Sequence, residues 1–229
     1  MTIGIIGAMD EEIALLLENI TDKEEITVAN CLFVKGRLFD EEIVLLKSGI
    51  GKVNASMATT IMHERFNPTH VINTGSAGGF SKNLEIGDIV ISTHVAHHDV
   101  DVTAFDYAYG QVPGMPAIFS ADTELILKAA EAVEKLPIKY EKGLIATGDS
   151  FMEDPRRTAF IQEKFPSMIA AEMEAAAIAQ VCHQYNKPFV VIRALSDIAG
   201  KKSSISFDEF LEKAAIHAAQ LIMLVIKEL

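Results

Sequence analysis

The chain has no tryptophan, only two cysteines and seven prolines, and just 20 basic residues against 32 acidic ones in its 229, a formal net charge of −12. Each shortage excludes something. Cys31 and Cys182 are too few and too far apart for a disulfide framework or a zinc site with paired ligands, and read as buried free thiols of a reducing compartment. The basic residues form no cluster denser than the isolated pairs Arg156-Arg157 and Lys201-Lys202, which argues against nucleic acid or an anionic membrane surface as partner. No uncharged apolar run approaches the ~20 residues of a membrane helix. The N-terminus lacks a basic segment and its apolar stretch runs into Asp10, Glu11 and Glu12, so no signal peptide is expected and the expected location is cytoplasmic. Apolar residues, in contrast, make up 49% of the chain and charged ones 23%, which suits a large core and excludes disorder. Without a Gly/Ser/Pro-rich linker, an internal repeat or a low-complexity tract, one domain over 1–229 is expected.

Short β-branched runs alternate with segments of helical period, the pattern of an α/β fold with a largely buried sheet. The runs read as strands are Thr2 to Gly7, Ile26 to Val34, Ile43 to Lys47, His70 to Thr74, Asp88 to Ala96, Gly143 to Thr147, Met168 to Ala171 and Phe189 to Leu195. A helix over Lys52 to Phe66 carries Val53, Met57, Thr60 and Ile61 on one face, with Pro68 beyond its end. Another, alanine-rich, spans Glu174 to Tyr185, and a long one follows a capping-box pattern at Ser206 and Glu209, with a single stripe from Phe207 to Ile226. Between Ala96 and a helix starting near Asp122 lies an irregular stretch, Phe105 to Pro116, rich in rings yet broken by glycine and proline. Loops this long are often functional. Its aromatics either cap this subunit's core or meet a partner subunit.

Gly75-Ser76-Ala77-Gly78-Gly79 and Gly49-Ile50-Gly51-Lys52 follow strands as turns at the edge where open α/β sheets place ligands. Val53 stands where a P-loop needs Ser or Thr, and Gly4 and Gly7 lack the G-x-G-x-x-G spacing, so no nucleotide cofactor is expected. His97, Asp99 and Asp101 alternate as a metal site might, but nothing at helical spacing completes the set and no metal is expected. Acids recur at strand ends: Glu12, Glu174 and Asp197. If the sheet is parallel across those strands, the three converge. Such a set suits glycosidic cleavage, with one acid for the leaving group, one base for water and a third carboxylate for a sugar diol. Each acid singly could equally be a helix N-terminal cap.

Six blocks together, Gly4 to Glu12, Ser48 to Ala55, Asn73 to Gly79, Asp101 to Phe105, Glu172 to Ala175 and Arg193 to Asp197, closely resemble the bacterial 5′-methylthioadenosine/S-adenosylhomocysteine nucleosidases, in collinear order over the whole chain. The resemblance implies the three-layer nucleoside phosphorylase-like fold, a mixed central sheet flanked by helices, in a homodimer without cofactor. It implies hydrolysis of methylthioadenosine and S-adenosylhomocysteine, and of 5′-deoxyadenosine, to adenine and a 5-thioribose derivative, in methionine salvage. By the same resemblance Glu12 is the base that activates water and Asp197 the acid for adenine N7. Glu174 beside Met173 holds the ribose, and Phe151 and Met152 read the adenine. Ser76 and Arg193 orient the water and its base, Ser196 and Gly78 line the site, and Met9, Ile50 and Phe207 bound the thio-substituent pocket. Val102, Phe105 and Pro113 reach into the partner's site. A phosphorolytic relative, and a non-catalytic adenosine-binding module, are the rival readings.

Overall fold

The alternation of elements is realised as one ten-stranded mixed sheet flanked by six helices in a computed structural model that describes residues 2–200 and 203–229; the Lys201-Lys202 pair lies outside them. In chain order the elements are β1 (Thr2–Gly7), α1 (Asp10–Asn19), β2 (Thr21–Val28), β3 (Cys31–Leu38), β4 (Glu41–Lys47), α2 (Lys52–Phe66), β5 (His70–Gly79), β6 (Ile89–His97), β7 (Phe119–Ser120), α3 (Thr123–Val133), β8 (Tyr140–Thr147), α4 (Pro155–Lys164), β9 (Met168–Glu172), α5 (Ala175–Gln184), β10 (Phe189–Ile198) and α6 (Ser203–Ile226). The sheet order is β10-β6-β8-β9-β5-β1-β4-β3-β2, and β10 also pairs with β5. Strands β5, β9, β8, β6 and β10 therefore close on themselves.

Strands β4, β1, β5 and β10 run parallel, whereas β6 is antiparallel to β10, and β9 is antiparallel to β5. The central strands are buried along nearly their whole length, as expected for strands covered on both faces: Ile3, Ile5, Leu45, Ile72, Val190 and Ile192 are all inaccessible. Helix α6 packs on β10, β5, α1 and α3, and its expected stripe is buried at Leu211, Ala214, Ala218, Leu221, Ile222, Val225 and Ile226.

Several expectations need correction. The run Ile26 to Val34 is two antiparallel strands, because Ala29 and Asn30 both take positive φ, 48° and 63°, and turn the chain back as a tight hairpin does. The glycine-rich run after His70–Thr74 is not a turn: β5 continues through Gly79, its glycines pairing with β10 and β9. Likewise Asp197 lies within β10 rather than after it. Helix α6 begins at Ser203, so Ser206 and Glu209 sit inside it and form no cap at its start. On α2, the face carrying Val53, Met57 and Thr60 is exposed, and the helix buries Ala55, Ala58, Thr59, Met62 and His63 instead. Small residues win there because the partner is the alanine-rich α5, and two such faces approach closely. No expectation covered α1 or α4, whose short apolar stripes are interrupted by acids and by Arg156-Arg157.

Candidate active site

Convergence of the three acids rests on parallel strands for two of them, since β1 before Glu12 and β10 with Asp197 both run parallel to β5, but on sheet closure for Glu174. Because β9 runs antiparallel to β5, with Ala171 opposite Gly78, the chain beyond it travels back along β5 and carries Glu172 and Glu174 toward Gly75. Gly75 in turn sits opposite Arg193 of β10. Its φ is +145°, and a Cβ there would meet Arg193 Nη1 and lie 2.5 Å from Glu12 Oε1. The absence of a side chain at one position thus lets three strands bring charged groups together.

Glu12 stands in the first turn of α1, where the helix dipole favours a carboxylate. It is buried, and all of its oxygen contacts are to donors. Oε2 accepts from Ala8 N at 2.8 Å and Met9 N at 3.3 Å, and Oε1 from Ser76 N at 2.9 Å and Ser76 Oγ at 3.1 Å. Arg193, fully buried, approaches Glu12 only to 3.9 Å. Its guanidinium donates instead to Glu172, to Asn73 Oδ1 at 2.9 Å and to Glu174 Oε2 at 3.3 Å. The other oxygen of Glu174 accepts from Gly51 N at 2.8 Å, which ties the start of α2 to the site. Burial pushes the Glu174 carboxyl above its ordinary value; Arg193 opposes the rise, and Glu172 and Glu12 add to it.

Asp197 reaches the site through an irregularity. Leu195 pairs with Ala77 and Asp197 with Gly78, leaving Ser196 as the extra residue of a bulge, which resets the alternation of faces. The Asp197 carboxylate lies against Gly78, where a Cβ would stand 3.1 Å from Oδ2, and accepts from Ser196 Oγ at 3.0 Å. Burial raises its pKa while the hydrogen bond from Ser196 pulls the other way.

A cavity of about 310 Å³ opens over these groups, the size of a small-molecule site. Met9, Glu12, Ile50, Ser76, Gly78, Phe151, Met152, Met173, Glu174, Ser196, Asp197 and Phe207 all line it. Phe151 and Phe207 meet edge to face, with ring centroids 5.7 Å apart, at the wall formed by α6. Arg193 lies behind the carboxylates rather than on the wall. Val102, Phe105 and Pro113 do not line the cavity: Phe105 is 75% exposed, and Pro113 is exposed as well. The alternating residues His97, Asp99 and Asp101 are engaged separately, with Gln180, Lys52 and Thr103. Glu172 falls in the Glu172 to Ala175 block, which assigns it no role. It lines the cavity too, and the signal that could have found it is its place in the Glu172-Met173-Glu174 run at the end of a buried strand.

The match to the model of the Phosphorylase superfamily runs over residues 2–227. A 5′-methylthioadenosine/S-adenosylhomocysteine nucleosidase of Anoxybacillus flavithermus is 64% identical over 230 residues, covering all of this chain and 99% of the relative. The chain belongs to the 5′-methylthioadenosine/S-adenosylhomocysteine nucleosidase family. Solved nucleosidases of that family superpose closely. The enzyme from Neisseria meningitidis, in complex with methylthio-immucillin-A, gives a TM-score of 0.98 at 48% identity, over 100% of this chain and 99% of that one. The enzyme from Colwellia psychrerythraea, in complex with adenine, gives 0.98 at 48% identity, over 100% and 96%. Among the described residues of this nucleosidase-family chain no helix is long and apolar enough to cross a membrane.

Proposed function

We propose that the chain hydrolyses the N-glycosidic bond of 5′-methylthioadenosine and S-adenosylhomocysteine, releasing adenine and a 5-thioribose derivative. One observation carries this reading: the carboxylates of Glu12, Glu172, Glu174 and Asp197 line one otherwise largely apolar cavity whose nearest basic group, Arg193, is already engaged by the first three. Ser76 and Gly78 are two residues apart on β5, so their sites are ~7 Å apart along the strand. Glu12 is fixed at the first and Asp197 at the second, which leaves room for a sugar and a water between them.

In this reading Glu12 takes a proton from the attacking water, held in its orientation by Ser76 and the amides of Ala8 and Met9. Asp197, whose burial favours the neutral acid, donates to adenine N7 so that the base leaves uncharged. Glu174 accepts from the ribose hydroxyls, with Met173 beside it. Phe151 stacks on the base while the Met152 backbone reads its edge, and Met9, Ile50 and Phe207 enclose the 5′-thio substituent. The side chains of Ile50 and Phe151 at the cavity are exposed, and so is the α2 face of Val53 and Met57. Both support a homodimer in which Val102, Phe105 and Pro113 of one subunit close the other's cavity. The two cysteines are buried and unpaired, which suits a cytoplasmic location.

The decisive assay measures adenine release from methylthioadenosine with and without phosphate. Release that is independent of phosphate supports hydrolysis; a rate that requires phosphate favours a phosphorylase. Asp197→Asn and Glu12→Gln are each expected to lower turnover at least about a hundredfold in a folded protein, and near-normal release by either variant would sink the assignment.

A further inference from the structure

Arg193 is the sole guanidinium among three buried carboxylates, and its distances to them are unequal. It bonds Glu172 closely, lies 3.3 Å from Glu174 and stays 3.9 Å from Glu12. We propose that Glu172 is a positioning residue for the hydrolytic reaction: its carboxylate holds the Arg193 guanidinium away from Glu12, leaving Glu12 free to act as the base.

Four contacts show how Glu172 is itself held. Its Oε2 accepts from the backbone N–H groups of Glu174 at 2.9 Å and Ala175 at 2.8 Å, the first amides of α5, as well as from Arg193. Its Oε1 accepts from Thr147 Oγ1. Thr147 Oγ1 accepts in turn from Ala176 N at 2.8 Å, so the hydroxyl links the carboxylate to a third amide of α5. Each of the four partners donates to Glu172. These donors fix the carboxylate in place at the N-terminus of α5. Glu172 thus joins β9, β8, the start of α5 and the arginine of β10 in one bonded unit, with its side chain almost wholly buried.

The consequence for the site follows from charge. One guanidinium is shared among Glu12, Glu172 and Glu174, and among the described residues no other charged side chain bonds to it. With Glu172 neutral, the guanidinium is shared between two carboxylates. The fork is then free to close the 3.9 Å gap to Glu12, and a base locked in an ion pair accepts a proton from water less readily. The inference rests on the hydrolytic reading, and its test is separable from that reading.

The experiment compares the pH dependence of kcat/KM for adenine release by wild type, Glu172→Gln, Glu172→Asp and Thr147→Val. Phosphate-independent release by the wild type tests the reaction itself. Given that release, Glu172→Gln is expected to lower kcat at least about tenfold and to move the acid limb of the profile to lower pH by about one unit. Glu172→Asp, which restores the charge, is expected to place the limb between those of wild type and Glu172→Gln. Thr147→Val removes a bond to Glu172 but no charge, and should lower the thermal midpoint without moving the limb. If Glu172→Gln does not fold, the Glu172→Asp profile carries the test. A limb at the wild-type pH in a folded Glu172 variant, whatever the loss of rate, overturns the proposal and reduces Glu172 to a helix cap.

Discussion

Gly75 shows how much of this site depends on single residues. Its positive φ and the crowding of its missing Cβ against Arg193 and Glu12 make it the one backbone position about which the charged cluster is assembled. Gly75→Ala is expected to fold with a lowered thermal midpoint and to lose most of its adenine release, since either the strand or the Arg193–Glu12 pair must shift. Calorimetry and the release assay together check this, and a fully active Gly75→Ala would show that the cluster tolerates displacement. The acids proposed to be catalytic were legible in the sequence because they are chemically distinctive and sit at or close to strand ends. Glu172 was not assigned a role, because only the three-dimensional list of its donors distinguishes it from any carboxylate at the end of a strand. Ser196 and Asp197 illustrate the same limit. A bulge is decided by the pairing of β10 with β5, and nothing in the order Leu195-Ser196-Asp197 announces it.

At the scale of elements, the start of α2 is clasped to the cavity wall. Asp99 accepts from Lys52 Nζ at 2.6 Å and from Asp149 N at 3.0 Å, while Asp149 accepts from Lys52 N at 2.8 Å. Burial works against the Asp99 carboxylate, but the bonds from Lys52 and the Asp149 amide outweigh it and hold its pKa below the usual carboxylate value. The clasp positions both Ile50, two residues before Lys52, and Phe151, two residues after Asp149. Asp99→Asn should therefore cost about 1–2 kcal/mol, lower the thermal midpoint by about 3–6 °C, and raise KM for methylthioadenosine more than it lowers kcat. Packing of α2 on α5 also buries His63, stacked on Tyr185 at 4.6 Å with Nε2 3.7 Å from Cys182 Sγ. Burial, with Lys187 adding to it, lowers its pKa from 6.5 to about 4, and burial lowers those of His97 and His98 too. The unfolded chain thus binds protons at a higher pH than the folded one. The histidine contribution to stability is fully present above about pH 6.5 and declines as pH falls toward 4, while the raised Glu174 carboxyl works in the opposite direction. Urea midpoints at pH 7 and pH 5 for wild type and His63→Gln isolate the histidine part, the difference between wild type and variant being expected to shift against the wild type at pH 5.

For the whole molecule, the placement of Phe105, Val53 and Met57 on the outside is what most needs a partner. A lysine at Met57, within the exposed face of α2, is expected to weaken self-association and, with it, adenine release, because the cavity would lose the residues proposed to come from the second subunit. Sedimentation and the release assay over the same range of protein concentration test the link: activity should fall in step with the dimer fraction. A fully active monomer would show that one chain completes its own site.

Sequence alone determined the α/β class, most strand positions, the extent of α2, the buried stripe of α6 and the identity of the acids, because hydrophobic period and chemical type are properties of neighbouring residues. Tertiary structure alone decided which face of α2 is buried, that the glycine-rich run extends β5, that β9 returns antiparallel, and which carboxylate claims Arg193. Those outcomes depend on which distant surfaces meet. A buried charge takes its character from the donors around it, and for Glu172 they come from three separate stretches of chain.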